Sequence, residues 1–276
     1  MPADQAPRST AAVTDNVDPS KGHAPAGDPS TLIVAIDGPS GSGKSTVARG
    51  VARALGLRYL DTGATYRALT WAVLDRGLNP EDTDAVIALA ATVKIEVSTD
   101  PDDVSVEVDG RDVASAIRGS GVTHTVSAVS AIPQVRERLV ALQRRVIGAG
   151  GMVVEGRDIG TVVCPDAPVK IFLTASSEAR ATRRWADAVE AAAVPRDVEA
   201  VKADLARRDQ LDSTRTSSPL TRATDAVSLD STAMDAEAVI AAILDIVAER
   251  TGTVPTGSTL AQLHDSPVDH VSGERR

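Results

Sequence analysis

The sequence predicts an α/β fold, in which helices flank a parallel sheet and a small antiparallel module is inserted into the chain. Short apolar runs alternate with longer stretches of helical periodicity, which is typical of βαβ units. The candidate strands are residues 32–36, 58–60, 152–155, 169–173 and 226–229. The candidate helices are residues 45–55, 64–76, 82–91, 133–148, 178–192, 196–212 and 235–249. Right-handed crossovers would place these helices on both faces of the sheet.

A glycine-rich turn joins the first candidate strand to the first candidate helix. Its sequence, Gly38-Pro-Ser-Gly-Ser-Gly-Lys-Ser45, matches G-x-x-x-x-G-K-[ST], the phosphate-binding P-loop, in the strand-to-helix context that the motif requires. The glycines allow backbone N–H groups to point at phosphate oxygens, and the helix N-terminus adds partial positive charge. The turn therefore predicts a nucleoside triphosphate site at Gly38, Pro39, Ser40, Gly41, Ser42, Gly43, Lys44, Ser45 and Thr46. Within it, Lys44 would reach the β- and γ-phosphates and the Ser45 hydroxyl would bind Mg²⁺.

One segment departs from the βαβ alternation and predicts the inserted module. Residues 93–97 and 104–108 each alternate apolar and polar side chains around a turn at 99–103, which indicates an antiparallel hairpin with one solvated face. Asp109-Gly110 is a tight-turn dipeptide that predicts a further short pairing near Val113. The same pattern also fits a surface hairpin with no function of its own.

Composition limits the cellular setting and the partners of the chain. The 276 residues carry a net charge of −9, and general binding to nucleic acid needs a basic face instead. A single cysteine, Cys164, excludes an internal disulfide and fits a reducing compartment. No apolar run approaches membrane-spanning length, and the first thirty residues lack the pattern of a secretory signal. We expect a soluble, cytoplasmic monomer with no nucleic-acid or membrane partner.

The reaction class has to come from residues outside the P-loop, because switches, motors and kinases share that loop. A GTPase would need an Asn-Lys-x-Asp segment, which the sequence lacks. Glu155, at the end of a candidate strand, could imitate the second acidic residue of a motor or transport ATPase. Arg157 and Asp158 follow it, at the carboxyl end of the strand, where open α/β sheets bind ligands. A guanidinium there suits a second phosphate-bearing substrate better than an attacking water.

Further arginines form clusters elsewhere in the chain. Tyr66 and Arg67 lie in the first turns of a candidate helix, and another helix places arginines and an aspartate on one face at i, i+4 and i+7. Any one cluster could be a solvated face with weak ion pairs. Together, beside a P-loop in an acidic chain, they favour phosphate binding, for which arginine is suited. The two remaining clusters are Arg208, Asp212 and Arg215, and Arg180, Arg183 and Arg184.

At this point the sequence resembles a known family, the bacterial cytidylate kinases, which are nucleoside monophosphate kinases. The matching segments are residues 36–46, 60–67, 155–163 and 165–173, and the similarity covers roughly residues 31–250 in order. The P-loop is common to many families, whereas Gly-Arg-Asp-Ile-Gly-Thr at residues 156–161 and the inserted hairpin are more restrictive.

The resemblance implies a core of five parallel strands, a monophosphate-binding insertion at residues 92–120 and a mobile lid at about residues 176–196. The kinase core would span residues 31–250. Residues 1–30 and 251–276 have no counterpart in the resemblance, and their composition predicts disordered tails.

The resemblance also implies roles for individual residues. Ser127, Arg136 and Asp158 would face the cytosine, with Ser130 as an alternative to Ser127. The sugar would be bound by Arg208 and Asp212. The acceptor phosphate would be bound by Arg67, Arg157 and Arg215, in a pocket lined by Thr62 and Tyr66; Thr62 stands where some relatives have serine. Arg180, Arg183 or Arg184 would contact the transferring group from the lid.

The predicted function is transfer of the γ-phosphoryl group of ATP to CMP, and to dCMP, in pyrimidine nucleotide metabolism, with Mg²⁺ as cofactor. Two classes of alternative stay open. The first is another monophosphate kinase, with uridylate or adenylate preference, or a small-metabolite kinase. The second is a non-catalytic nucleotide switch, which would bind ATP without turnover and would leave the arginines around residues 157 and 208–215 unexplained.

Overall fold

The computed structural model describes residues 29–190, 197–215 and 217–254. Within them the strands are β1 (Ile33–Asp37), β2 (Arg58–Asp61), β3 (Ile95–Val97), β4 (Val106–Val108), β5 (Arg111–Asp112), β6 (Met152–Gly156), β7 (Val169–Thr174) and β8 (Val227–Asp230). The helices are α1 (Lys44–Leu55), α2 (Thr62–Asp75), α3 (Thr83–Thr92), α4 (Ser120–Ala131), α5 (Pro133–Ile147), α6 (Ser177–Glu190), α7 (Val198–Thr214) and α8 (Ala236–Thr251).

Five strands form one sheet in the order β2-β6-β1-β7-β8, and every neighbouring pair is parallel. This confirms the predicted sheet. Its central strand β1 is buried on both faces, as the continuous apolar run Val34-Ala-Ile36 predicts. Helices α1 and α8 cover one face through residues such as Val51 and Ile243, and α5 covers part of the other through Val140 and Ile147.

The predicted antiparallel module is also confirmed. Strands β3, β4 and β5 form a separate three-stranded antiparallel sheet, in which Val106 and Val108 are buried and Glu107 is exposed. The further pairing near Val113 is present, because the Val113 amide donates to the Val106 carbonyl at 2.8 Å. The buried face of this small sheet packs against α2, so the module adjoins the main domain.

Helix α4 is the main element that the sequence interpretation missed. Its sequence, SGVTHTVSAVSA, is rich in serine, threonine and valine, which have weak helix propensity. It is helical because Val122, Val126 and Val129 are buried where α4 packs against α2 and α5. Tertiary packing therefore outweighs local preference here.

The remaining boundaries differ from the predicted ones by one or two residues. The predicted helix 178–192 corresponds to α6, and its last two residues lie outside the described part of the chain. Most of both predicted tails also lies outside it; within it, Pro29–Thr31 form a single 3₁₀ turn and α8 ends at Thr251. None of the described helices combines the length and the apolar character that crossing a bilayer would require.

Candidate active site

A cavity of about 230 Å³ lies at the carboxyl ends of β2 and β6, beside the P-loop that follows β1. Open α/β sheets bind ligands at this edge, where loops of neighbouring strands diverge. The cavity brings together most of the residues that the sequence singled out, although they come from distant segments. Those that line it are Ser40, Gly41, Gly43, Lys44, Ser45, Thr46, Thr62, Tyr66, Arg67, Ser127, Arg136, Arg157, Asp158, Arg184, Arg208, Asp212 and Arg215.

The P-loop forms one wall of the cavity. Gly41 and Gly43 have φ values of +77° and +90°, which side chains other than glycine rarely adopt. A Cβ atom at Gly38 would lie 2.0 Å from the Leu173 carbonyl oxygen, so the loop sits directly on β7. Gly38 therefore serves the close approach of two backbones, away from the cavity surface.

Lys44 is buried beneath this loop. Its Nζ atom donates to the Pro39 carbonyl at 2.7 Å and to Ser42 Oγ at 3.4 Å, so these two residues contact the lysine and not the cavity. Burial, together with the nearby charge of Arg157, lowers the pKa of Lys44 to about 7. A triphosphate in the loop would supply the negative charge that this ammonium group lacks.

Charged pairs form the opposite wall. Arg157 Nε donates to Asp212 Oδ2 at 3.0 Å, and Arg215 lies 3.6 Å from the other oxygen of that carboxylate. Arg136 and Asp158 form a buried ion pair at 2.5 Å, and the Arg136 guanidinium stacks 5.1 Å from the Tyr66 ring centroid. These contacts hold the planar donors and acceptors in fixed orientations before a ligand arrives.

The arginines exceed what these carboxylates can neutralise. Burial, followed by the charge of Arg208, lowers the pKa of Arg67 to about 9, and burial followed by Arg157 lowers that of Arg208 to about 10. Arg67 donates to the Thr123 hydroxyl at 3.0 Å and to the Ile117 carbonyl at 3.3 Å, both neutral groups. Such crowding of cations is unfavourable in the free protein and is relieved by a bound anion.

The three predicted lid arginines lie on α6 but have different surroundings. Arg184 lines the cavity and lies 3.4 Å from Asp187. Arg180 forms an ion pair with Asp209 of α7 and donates to the Ser40 carbonyl at 3.2 Å. Arg183 donates to Ser231 Oγ at 2.9 Å and to the carbonyl of the same residue, outside the cavity lining. The roles of these arginines in transfer stay predictions.

Three acidic residues that line the cavity were not among the predicted site residues, namely Asp61, Glu155 and Asp187. Burial, together with the charge of the neighbouring Asp61, raises the pKa of Glu155 to about 7. Tyr59 donates a short hydrogen bond to Glu155. For Asp61 and Glu155, the position at the carboxyl ends of β2 and β6 was the available signal, because ligand-facing residues collect at that edge. Ser127 and Ser130 both line the cavity, so its lining alone does not choose between them.

Comparison with known proteins identifies the family. A family model described as "Cytidylate kinase" matches residues 34–249, which are nearly all of the described chain. The chain belongs to the cytidylate kinase family.

The similarity to individual members of the cytidylate kinase family is high along almost their whole length. The chain is 55% identical to the cytidylate kinase of Mycolicibacterium paratuberculosis over 222 residues, which cover 80% of this chain and 97% of that protein. It is 54% identical to the cytidylate kinase of Rhodococcus opacus, over 81% of this chain and 97% of the relative. It is also 54% identical to the cytidylate kinase of Corynebacterium glutamicum, over 78% of this chain and 94% of that protein.

Because the pKa of Lys44 is lowered in the free protein, we expect this cytidylate kinase family member to take up a proton when nucleotide binds. At pH 8 a lysine with a pKa near 7 is mostly neutral, and a triphosphate beside it should raise that pKa and draw in between about half a proton and one proton. Calorimetric titration with ATP in buffers of different ionisation enthalpy measures this uptake. A binding enthalpy that does not depend on the buffer at pH 8 would contradict the prediction.

Proposed function

We propose that the protein transfers the γ-phosphoryl group of ATP to CMP, giving ADP and CDP, and that dCMP is also an acceptor. The observation that carries the proposal is that one cavity has a P-loop on one wall and a group of buried and half-buried arginines on the other. Two anionic nucleotides could therefore meet end to end. Membership of the cytidylate kinase family supports CMP as the acceptor.

The donor half would bind ATP through the P-loop. Backbone N–H groups and the N-terminus of α1 would contact the phosphates, with Lys44 at the β- and γ-phosphates. The Ser45 hydroxyl lies in the cavity together with the carboxylates of Asp61 and Glu155, and oxygen donors of this kind fit Mg²⁺. Bound there with the nucleotide, Mg²⁺ would neutralise phosphate charge. We propose Ser45 as its protein ligand.

The acceptor half would bind CMP in three parts. Arg67, Arg157 and Arg215 would bind the phosphate, beside Thr62 and Tyr66. The ribose would contact Arg208 and Asp212. Asp158 would accept a hydrogen bond from the exocyclic amine of cytosine, while Arg136 and Ser127 would contact its ring nitrogen and carbonyl.

Base selectivity follows from this arrangement of donors and acceptors. UMP presents a carbonyl where CMP presents the amine, so the Asp158 carboxylate would face another acceptor. Asp158 and Arg136 are buried, so a mismatched base would leave a polar group without a hydrogen-bond partner. An unpaired buried polar group costs about 1–3 kcal/mol, and a charged one costs more. CMP should therefore be preferred over UMP by about two orders of magnitude.

The transfer itself requires no general base. A phosphate monoester loses its second proton near pH 6, so the attacking oxygen of CMP is already anionic at neutral pH. Catalysis then depends on in-line alignment and on positive charge around the moving group. Lys44 and a lid arginine (Arg180, Arg183 or Arg184) would supply that charge, and arginines in this role can contribute about 10³–10⁵ in rate.

Water competes with CMP as acceptor, so the site must exclude it during transfer. We propose that the lid, at about residues 176–196, and the insertion, at residues 92–120, close over the two nucleotides. The core would span residues 31–250. We further propose that the protein acts as a cytoplasmic monomer in pyrimidine nucleotide metabolism.

An ADP-release assay with CMP, dCMP, UMP, AMP and shikimate tests the proposed function. We expect turnover with CMP and dCMP, about 10²-fold lower kcat/KM with UMP, and none with shikimate. A clear preference for UMP or AMP would assign another monophosphate kinase activity. ATP binding without turnover of any acceptor would instead indicate a nucleotide switch.

A further inference from the structure

Asp37, the last residue of β1, is a buried carboxylate that the proposed mechanism does not use. Its side chain accepts two backbone hydrogen bonds, Oδ1 from the Ile159 amide and Oδ2 from the Gly160 amide, each at 2.8 Å. Asp37 is 5% exposed and does not line the cavity. Its two hydrogen bonds are with the backbone after β6, so its direct effect is on the position of that backbone.

The two amides belong to the turn that carries Arg157 and Asp158. After β6 the backbone leaves the sheet, and residues Ile159–Val163 form one wide helical turn. The Asp158 carbonyl accepts from the amide of Val162 at 2.8 Å, so the aspartate begins this turn. Both oxygens of Asp37 thus bind the backbone immediately after the two side chains that face the cavity.

The turn also lies close against the layer beneath it. A Cβ atom on Gly160 would be 3.1 Å from Cδ of Lys170 and 3.4 Å from Asp37 Oδ2, which leaves little space for displacement in that direction. Lys170 itself is held by an ion pair with Asp225. On this side, the Asp37 carboxylate and the aliphatic part of the Lys170 side chain therefore fix the position of the turn.

We propose that Asp37 is a positioning residue for the acceptor nucleotide: by binding the Ile159 and Gly160 amides it orients Arg157 and Asp158, and so sets CMP affinity and base selectivity. The inference rests on the proposed function for its substrate. The contact itself is independent of any substrate and can be tested separately.

If Asp37 orients the turn, CMP binding should depend on the protonation of its carboxyl group. Burial raises the pKa of Asp37 to about 6, and the two amide hydrogen bonds oppose that rise. The charged or titratable groups that face it are Asp158 in the turn, Lys44 beside the P-loop, Cys164 at the end of the turn and Lys170 on β7. Below about pH 6 the carboxyl becomes protonated and loses acceptor strength, so the turn should loosen.

The variant Asp37→Asn tests the role. Asparagine can accept from one amide, but its own NH₂ group then opposes the other N–H. At pH 8 we expect the KM for CMP to rise about tenfold and the CMP/UMP ratio of kcat/KM to fall at least about fivefold, with the KM for ATP unchanged within about twofold. Asp82→Asn is the matched control, because Asp82 also accepts a backbone amide, from Ala85, but lies outside the cavity lining.

The pH dependence of the KM for CMP distinguishes a role of Asp37 in positioning the turn from a role in stabilising the fold as a whole. The second ionisation of CMP affects both proteins equally, so it cancels in the ratio of KM values, variant over wild type. We expect this ratio to shrink about threefold between pH 8 and pH 5.5. In the wild type, NMR shifts of the Ile159 and Gly160 amides should titrate with a midpoint near pH 6 in the absence of nucleotide.

Each result bears on one part of the inference. Equal rises in the KM for CMP and for ATP, or an unchanged KM for CMP, would overturn it. The inference would also be overturned if the NMR shifts of the Ile159 and Gly160 amides did not titrate between pH 5 and 7. This measurement uses the wild type, so it does not depend on whether the variant folds. If the wild type shows no turnover of CMP while the amides titrate as expected, the proposed function fails and the contact of Asp37 with the turn stands.

Discussion

Replacement of Lys44 by alanine is expected to lower kcat for phosphoryl transfer by at least about 10²–10³-fold, which is the loss typical of removing one preorganised group that stabilises transition-state charge. We proposed that Lys44 contacts the β- and γ-phosphates, and its hydrogen bonds to Pro39 and Ser42 hold it beneath the loop. Steady-state assays with CMP and ATP, supported by single-turnover measurements, provide the value.

The same substitution should leave the fold intact. A lysine whose pKa is lowered from 10.5 to about 7 has its charged form disfavoured by folding, so the folded state binds fewer protons than the unfolded state between those two values. Lys44→Ala should therefore melt at an unchanged or higher temperature at pH 7 without nucleotide. Lys94→Ala removes an exposed lysine, paired with Glu96, and is the control. A purified Lys44→Ala protein that retains most of its rate would exclude this loop as the donor site.

Replacement of Arg157 by alanine is expected to raise the KM for CMP about tenfold and to lower kcat about 10–100-fold. Both parameters change because the guanidinium would attract the acceptor phosphate in the ground state and the transferred group in the transition state. The KM for ATP should change little. Steady-state kinetics with each substrate varied in turn measures the difference.

A second measurement makes the Arg157 prediction sharper. Its charge contributes to the lowered pKa of Lys44, so in Arg157→Ala the Lys44 pKa should rise and less proton should be taken up with ATP at pH 8. Arg207→Ala is the matched control, since Arg207 pairs with Asp204 on the surface of α7. If the response to CMP were unchanged, Arg157 would have to be removed from the acceptor site.

Local patterns were sufficient for much of the architecture. A buried parallel strand needs a continuous apolar run, and Val34-Ala-Ile36 supplies one; a P-loop needs glycines at backbone positions with positive φ, and Gly41 and Gly43 occupy such positions. The hairpin was equally accessible, because alternation of Val106, Glu107 and Val108 reports which face is solvated. These features depend on neighbours within a few residues.

Local patterns did not predict helix α4 or the different surroundings of the three lid arginines. The residues of α4 have weak helical preference, and their burial against α2 and α5 decides the outcome. Arg180, Arg183 and Arg184 look alike in the sequence, yet Arg184 lines the cavity while Arg180 pairs with Asp209 and Arg183 with the Ser231 segment. For Arg180 and Arg183, the partner of the guanidinium comes from a segment elsewhere in the chain.

The sequence by itself determined the sheet, the triphosphate loop and the residue types from which an acceptor site could be made, since periodicity and short motifs are local properties. Only the tertiary structure decided which of those residues meet. Asp37 binds amides 122 and 123 residues further along the chain, and Arg157 pairs with Asp212 over 55 residues. The physical reason is that parallel β1 and β6 bring their carboxyl ends side by side, and α7, which packs against α6 and α4, adds Arg208 and Asp212 to the cavity lining.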